Sequence, residues 1–128
     1  MTEHSSCCDL ISFGNHEIEP GQTALVPTNV WIESYTPGDD PDLIEELQIR
    51  CRSSFPVKKS LMLPNGIGTI DADYRDEIRV LLYNFGTETA RIEDGERIAQ
   101  MALCITRKIE GAVNTYNART GGFGSTNP

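Results

Sequence analysis

Gly66-Ile-Gly-Thr-Ile-Asp-Ala-Asp-Tyr-Arg-Asp-Glu-Ile-Arg-Val-Leu-Leu-Tyr-Asn-Phe-Gly86 is the stretch on which the reading of this chain turns. Two apolar, β-branched runs, Ile67 to Ile70 and Ile78 to Leu82, flank a polar tip from Asp71 to Asp76, the pattern of a β-hairpin. Asp71 ends an apolar strand, where a rigid ladder aims a carboxylate, and Tyr74 has the size to floor a pocket. Taken alone, the tip reads equally well as a solvated turn with acidic residues.

Working outward, turn signals and short apolar runs continue along the whole chain, and helical periodicity is scarce, so the expectation is one all-β domain. A short strand is expected over Leu10 to Phe13, after Asp9. A turn at Pro20-Gly21 leads into a strand with Ala24 and Val26 on one face, and Asn29 suits a left-handed backbone. Val30 to Tyr35 is a further strand candidate. Asp39 to Glu46 reads as an acidic excursion with a helical turn at Asp42 to Leu47, before a strand over Leu47 to Cys51. Arg97 to Ile105 is apolar on both faces, which predicts a strand buried on both sides, between sheets or at a subunit contact. Gln100 breaks that run and must be hydrogen-bonded, as a structural anchor or as the partner of a reacting water.

At 128 residues the chain has length for a core, near the size at which oligomerisation often adds burial. A net charge of -8 argues against binding a nucleic acid polymer, which rewards a basic surface. It is compatible with a single nucleotide, which needs only a few local cations and a metal ion. No run is long enough to span a membrane and no signal-peptide pattern opens the chain, so a soluble, cytoplasmic protein is expected. Cys7, Cys8, Cys51 and Cys104 lack zinc-knuckle spacing and read as buried free thiols.

Two further segments carry chemistry. Arg52-Ser53-Ser54, at the entry to a short helix, suits phosphate, and is also what a routine serine cap beside a surface arginine looks like. Residues 115–128 have few apolar side chains and are set apart from a β domain over residues 1–114 as a flexible tail. Within the tail, Arg119-Thr-Gly-Gly-Phe-Gly-Ser-Thr126 combines a cation, glycines that let N–H groups converge, one aromatic and a closing pair of hydroxyls, a set that suits a triphosphate and a stacked base.

In chain order, Cys8-Asp-Leu10, Arg52-Ser-Ser54, Ile70-Asp-Ala-Asp-Tyr-Arg75, Gly95-Glu-Arg-Ile-Ala-Gln-Met101 and Arg119 to Thr126 resemble the five motifs of the trimeric dUTPases, which split dUTP into dUMP and pyrophosphate. The resemblance spans Asp9 to Thr126 and implies a distorted jelly roll assembled as a homotrimer, with each tail closing over a neighbour's active site. It implies catalysis by Asp71, which activates a water, with Gln100 as partner of that water. Substrate contacts fall on Arg52, Ser53 and Ser54, on Asn65 as reader of uracil, and on Gly68, Thr69, Ile70 and Asp71 of the hairpin. Tyr74 is placed below the deoxyribose, and Arg79, Arg119, Phe123, Gly124, Ser125 and Thr126 complete the set. The implied cofactor is Mg²⁺, which Asp9 holds through its water shell.

The chain departs from the family's usual pattern at Asp76, where glycine is common and where Asp would adopt a positive φ, if the position needs one, at some cost, and in a short start over Met1 to Ser6. One residue is missing between Arg119 and the double glycine. Two rival readings are a slow, dUTPase-like nucleotide sensor or protein-binding regulator, with Asp39 to Glu46 as contact surface, and a dCTP deaminase relative. The deaminases place a glutamate where this chain has Leu81, and they lack the Gly-Gly-Phe-Gly-Ser-Thr ending.

Overall fold

The computed structural model describes residues 2–109. Nine strands and one short helix follow in order: β1 (Cys7–Ile11), β2 (His16–Ile18), β3 (Thr23–Pro27), β4 (Leu43–Arg50), α1 (Ser54–Lys58), β5 (Leu61–Met62), β6 (Gly68–Asp71), β7 (Arg79–Asn84), β8 (Ala90–Ile92) and β9 (Arg97–Arg107). They form a four-stranded sheet in the order β1-β9-β4-β6, a three-stranded sheet β3-β7-β5 and a two-stranded pair β2-β8, with antiparallel pairing throughout.

Strand alternation sets the core. Along β7, Val80, Leu82 and Asn84 are buried while Arg79, Leu81 and Tyr83 are half-buried, so every second side chain enters the interior. There they join Leu10, Ile18, Val26, Ile49, Phe55, Leu61, Ile70, Tyr74, Ile78 and Ile98. Asn84 is fully buried, and its amide is spent on three backbone groups: it donates to the carbonyls of Ile18 and Glu88, each at 2.8 Å, and accepts from the N–H of Gly86 at 2.9 Å. A buried amide is tolerated on that condition.

Several expectations change on the structure. The apolar runs around Asp71 to Asp76 are both strands, but they do not pair as a hairpin: among the described residues β6 pairs only with β4, and β7 pairs with β3 and β5. The tip is a corner between two sheets, stabilised by burial of Tyr74 and Ile78 rather than by a shared ladder. The helical turn over Asp42 to Leu47 is instead the start of β4, which finds partners on both edges, and pairing outweighs the helix propensity of its glutamates. Val30 to Tyr35 is not a strand. It follows Asn29, whose φ of 60° turns the chain, and it docks Val30 and Ile32 on the core without joining a ladder. Asp76 is absent from the positive-φ residues, so the glycine common there is not needed for backbone conformation. In β9 the first half is covered within the chain, and Leu103 and Ile105, exposed at 62% and 67%, are the part to which the subunit-contact alternative applies. The four cysteines are free and half-buried rather than buried.

Candidate active site

One group of the residues singled out by sequence gathers at the β1-β9 end of the large sheet. Asp9 lies opposite Gln100, and Gln100 lies opposite Arg50, so the three form one row across β1, β9 and β4 on a single face. A bulge falls beside this row: Leu10 pairs with Ala99 and Ile11 with Arg97, which leaves Ile98 as the extra residue. Bulges re-aim side chains. This one lets Ile98 and Ala99 both bury while Asp9 and Gln100 stay half-exposed.

Around the row stand cations. The Arg97 guanidinium is 3.8 Å from the Asp9 carboxylate, and the Arg97 carbonyl accepts a hydrogen bond from Arg52 at 3.1 Å. Arg52 also lies over the ring of Phe55, 5.9 Å from its centroid, and Phe55 is buried, so the helix root fixes the arginine. Ser53 is the N-cap residue of α1, yet its side chain makes no capping hydrogen bond, and it is exposed; Ser54 opens the helix half-buried. The routine serine cap is therefore not what the Ser53 hydroxyl is used for. Arg97 was not among the residues singled out by sequence. The available signal was its position three residues before Gln100, at the start of a strand.

A second group gathers at the opposite edge. β6 is an edge strand, and no second strand pairs with it among the described residues. Alternate backbone N–H and C=O groups of Gly68 to Asp71 thus face outward. Asn65 is exposed in the turn that precedes this edge, and its amide nitrogen lies beside Gly68, 3.5 Å from where a Cβ there would sit. Asp71 is half-buried and lies opposite Glu46. Beside that pair is a cavity of about 350 Å³, lined among others by Tyr35, Ile44, Glu46, Asp71 and Arg75. Tyr74 is 8% exposed and donates its hydroxyl to the Glu77 carbonyl at 3.1 Å. Arg79 opens β7 opposite Pro27, half-buried.

These two groups do not meet within one chain. Asp71 and Gln100 face the same side of the sheet, but β4 lies between their strands and their rows are four residues apart along it, from Glu46 to Arg50. At about 3.3 Å per residue and ~4.8 Å per strand, their Cα atoms are about 16 Å apart. The gap carries its own network: Arg50 donates to Gln48 at 3.1 Å, Gln48 donates to Glu46 at 3.0 Å, and the Arg50 guanidinium also contacts Cys7 and Cys104. Nearby, burial pushes the Cys51 thiol above its ordinary pKa, which keeps that thiol protonated beside Arg52. Arg119, Phe123, Gly124, Ser125 and Thr126 lie outside the described residues, as does the proposed division at residue 115.

For a metal, the described residues contain no cluster of three or more His, Cys, Asp or Glu side chains. What they offer is one carboxylate and one amide oxygen side by side, Asp9 and Gln100. That hard, sparse donor set fits a hydrated Mg²⁺ held mainly by a substrate's phosphates, and not a cation caged by protein alone. No helix among the described residues is long and apolar enough to cross a membrane.

Comparison with known proteins adds to this geometry. The family model described as dUTPase matches residues 1–127. A protein of Rickettsia felis named deoxyuridine 5'-triphosphate nucleotidohydrolase is 44% identical over 131 aligned positions, covering 98% of this chain and 84% of its own length. Its namesake in Rickettsia prowazekii is 40% identical, with the same coverage. Among solved structures, the dUTPase from Streptococcus mutans superposes with a TM-score of 0.75 at 34% identity, over 86% of this chain and 85% of that one. The EIAV dUTPase superposes with a TM-score of 0.67 over 94% and 90%; at 22% identity it speaks for the shared distorted jelly roll alone.

Proposed function

Because the chain belongs to the dUTPase family, we propose that it is a cytoplasmic dUTP diphosphatase, which hydrolyses dUTP to dUMP and pyrophosphate at sites shared between the copies of a homotrimer. The observation that carries this reading is the division of the site residues. Asn65, β6 and Tyr74 form one half at an open sheet edge, and Asp9, Gln100, Arg52 and Ser53 form the other, too distant to act on one nucleotide in the same chain. A closed rotational assembly brings one copy's edge to the next copy's cations.

In that assembly the base lies along the outer edge of β6. Asn65 offers the base edge a donor and an acceptor through one amide, and the strand backbone supplies the remaining partners. Tyr74 closes the floor beneath the sugar. Asp71 holds a water in line with the α-phosphorus and takes its proton; the P–O bond to the pyrophosphate breaks as the new one forms. Gln100 orients that water or anchors Asp9. Arg52, Ser53 and Ser54 of the neighbouring copy, with Arg119, Gly124, Ser125 and Thr126 of the tail, stabilise charge on the phosphates, and Phe123 covers the base. Asp9, through water, holds the Mg²⁺, which when bound neutralises the triphosphate.

The direct test is pyrophosphate release from dUTP beside dTTP, dCTP and UTP, with and without Mg²⁺. Metal-dependent release confined to dUTP is the expected result. Tight dUTP binding without release would make the chain a sensor, and ammonia from dCTP would make it a deaminase.

A further inference from the structure

The tip that carries Tyr74 is tied to the body of the protein by burial of Tyr74 and Ile78 and by hydrogen bonds at Glu77 and Ile78. Within the tip, the contacts are local: the N–H of Tyr74 donates to the Asp71 carbonyl at 3.0 Å, and Arg75 folds back to the carbonyls of Ala72 and Tyr74 at 2.6 and 3.1 Å. Asp73, Arg75 and Asp76 are exposed. The tie to the core runs through Glu77 and Ile78. Three consecutive residues after β3 dock there: Thr28 donates its hydroxyl to the Ile78 carbonyl at 2.5 Å, the Asn29 N–H donates to the Glu77 carboxylate at 2.9 Å, and the Val30 carbonyl accepts from the Ile78 N–H at 2.8 Å.

Glu77 alone among these joins strap and ring. Its carboxylate receives the strap, and its carbonyl receives the Tyr74 hydroxyl. The strap's own geometry depends on the left-handed Asn29, with φ of 60°. The Glu77 carbonyl shares a peptide plane with the Ile78 N–H that Val30 holds, so the carboxylate is the second anchor of that unit, and loosening it lets the carbonyl, and with it the ring, tilt by the few tenths of an ångström over which a hydrogen bond persists. A pocket that must refuse one extra hydroxyl is sensitive to a displacement of that size, because discrimination between near-identical ligands rests on close fit.

We propose that Glu77 is a positioning residue for sugar selection: its carboxylate, held by the Asn29 N–H, sets the height of the Tyr74 ring and so excludes a 2′-hydroxyl. The inference rests on Tyr74 being the floor beneath the sugar, as proposed above. It concerns the ratio of kcat/KM for dUTP over UTP and leaves the chemical step with Asp71.

The experiment compares that ratio in Glu77→Ala, Glu77→Gln and Tyr74→Ala, with thermal melting to establish folding. Glu77→Ala should lower the ratio about tenfold, mainly by raising UTP turnover, and Glu77→Gln should restore it, since an amide oxygen accepts from the same N–H. Tyr74→Ala should lower it further. An unchanged ratio in Glu77→Ala, with a lowered one in Tyr74→Ala, would overturn the role of Glu77 alone. No effect of Tyr74→Ala would overturn the floor reading and the inference with it. Equal losses in both Glu77 variants would overturn it in favour of charge. Should Glu77→Ala fail to fold, Tyr74→Phe, which keeps the ring and breaks only its bond to the Glu77 carbonyl, takes its place: a lowered ratio supports the proposal and an unchanged one overturns it.

Discussion

The two ends of the large sheet differ in kind. At the β6 edge, Asn65, the strand backbone, Asp71 and Tyr74 are brought together by one stretch of chain, with Tyr74 buried and its hydroxyl bonded. At the β1-β9 end, Asp9, Arg52, Ser53, Arg97 and Gln100 come from three separate segments, and the cations lie over an open surface, Arg97 at 60% exposure. The first end is the proposed recognition edge. The second is a charged platform, the proposed phosphate side. Their separation on the same face makes assembly part of the proposed chemistry.

The strongest way to break that view is to disable the two ends in different chains. Asp71→Asn should lower kcat by about 10² to 10⁴-fold, since it removes the general base and keeps the shape, and Arg52→Ala should also be severely impaired. Mixed, unfolded and refolded together, the two variants should regain about a quarter of the parent activity, because random closed trimers pair an intact Asp71 with an intact Arg52 at that frequency. Activity that stays at the level of the separate variants would mean that both ends serve a single chain or that no exchange of copies occurs; native mass spectrometry of the mixture, which resolves mixed from parental trimers by the lighter Arg52→Ala chain, separates the two.

The same contrast explains what was legible in the sequence. The recognition edge is contiguous, so its residues could be read from one stretch; yet the hairpin inferred from it was wrong, because two adjacent apolar runs do not reveal that each pairs with a different sheet. The platform could be found only through resemblance of its motifs, since nothing local joins Asp9 to Gln100 across 91 positions of sequence. β4 was misread at its start because Glu45 and Glu46 look solvated, and only the two flanking strands account for their extended backbone. Arg97 and Glu77 escaped because their partners are distant in sequence or are backbone atoms, and the Arg50 network because it runs through Gln48 to Glu46, which was read as solvated.

If the recognition edge is rigid because the β-core behind it is, variants in that core should cost stability without altering the mixing result. Asn84→Ala is the larger of these. It strips partners from the buried Ile18 carbonyl and from the part-buried Glu88 carbonyl and Gly86 N–H, and unsatisfied buried groups cost about 1–3 kcal/mol each; a loss of about 2–4 kcal/mol in urea unfolding is expected. A loss under ~1 kcal/mol would show that water replaces the amide and that the strand end is not sealed.

The smallest expected effect lies one turn away and asks whether the packing there is tight in detail. A Cβ added to Gly86 would sit 2.8 Å from the Cβ of Ser60 and 3.0 Å from its hydroxyl, so Gly86→Ala should cost about 1–2 kcal/mol by overpacking. Ser60 itself has a φ of 54°, a backbone state that favours glycine. Ser60→Gly therefore removes the obstructing atoms and suits the backbone at once. In a double-mutant cycle the pair should be more stable than the sum of the single changes predicts. Strict additivity would place the strain of Gly86→Ala in the β7-β8 turn itself, which Asn84 pins, rather than in the contact with Ser60.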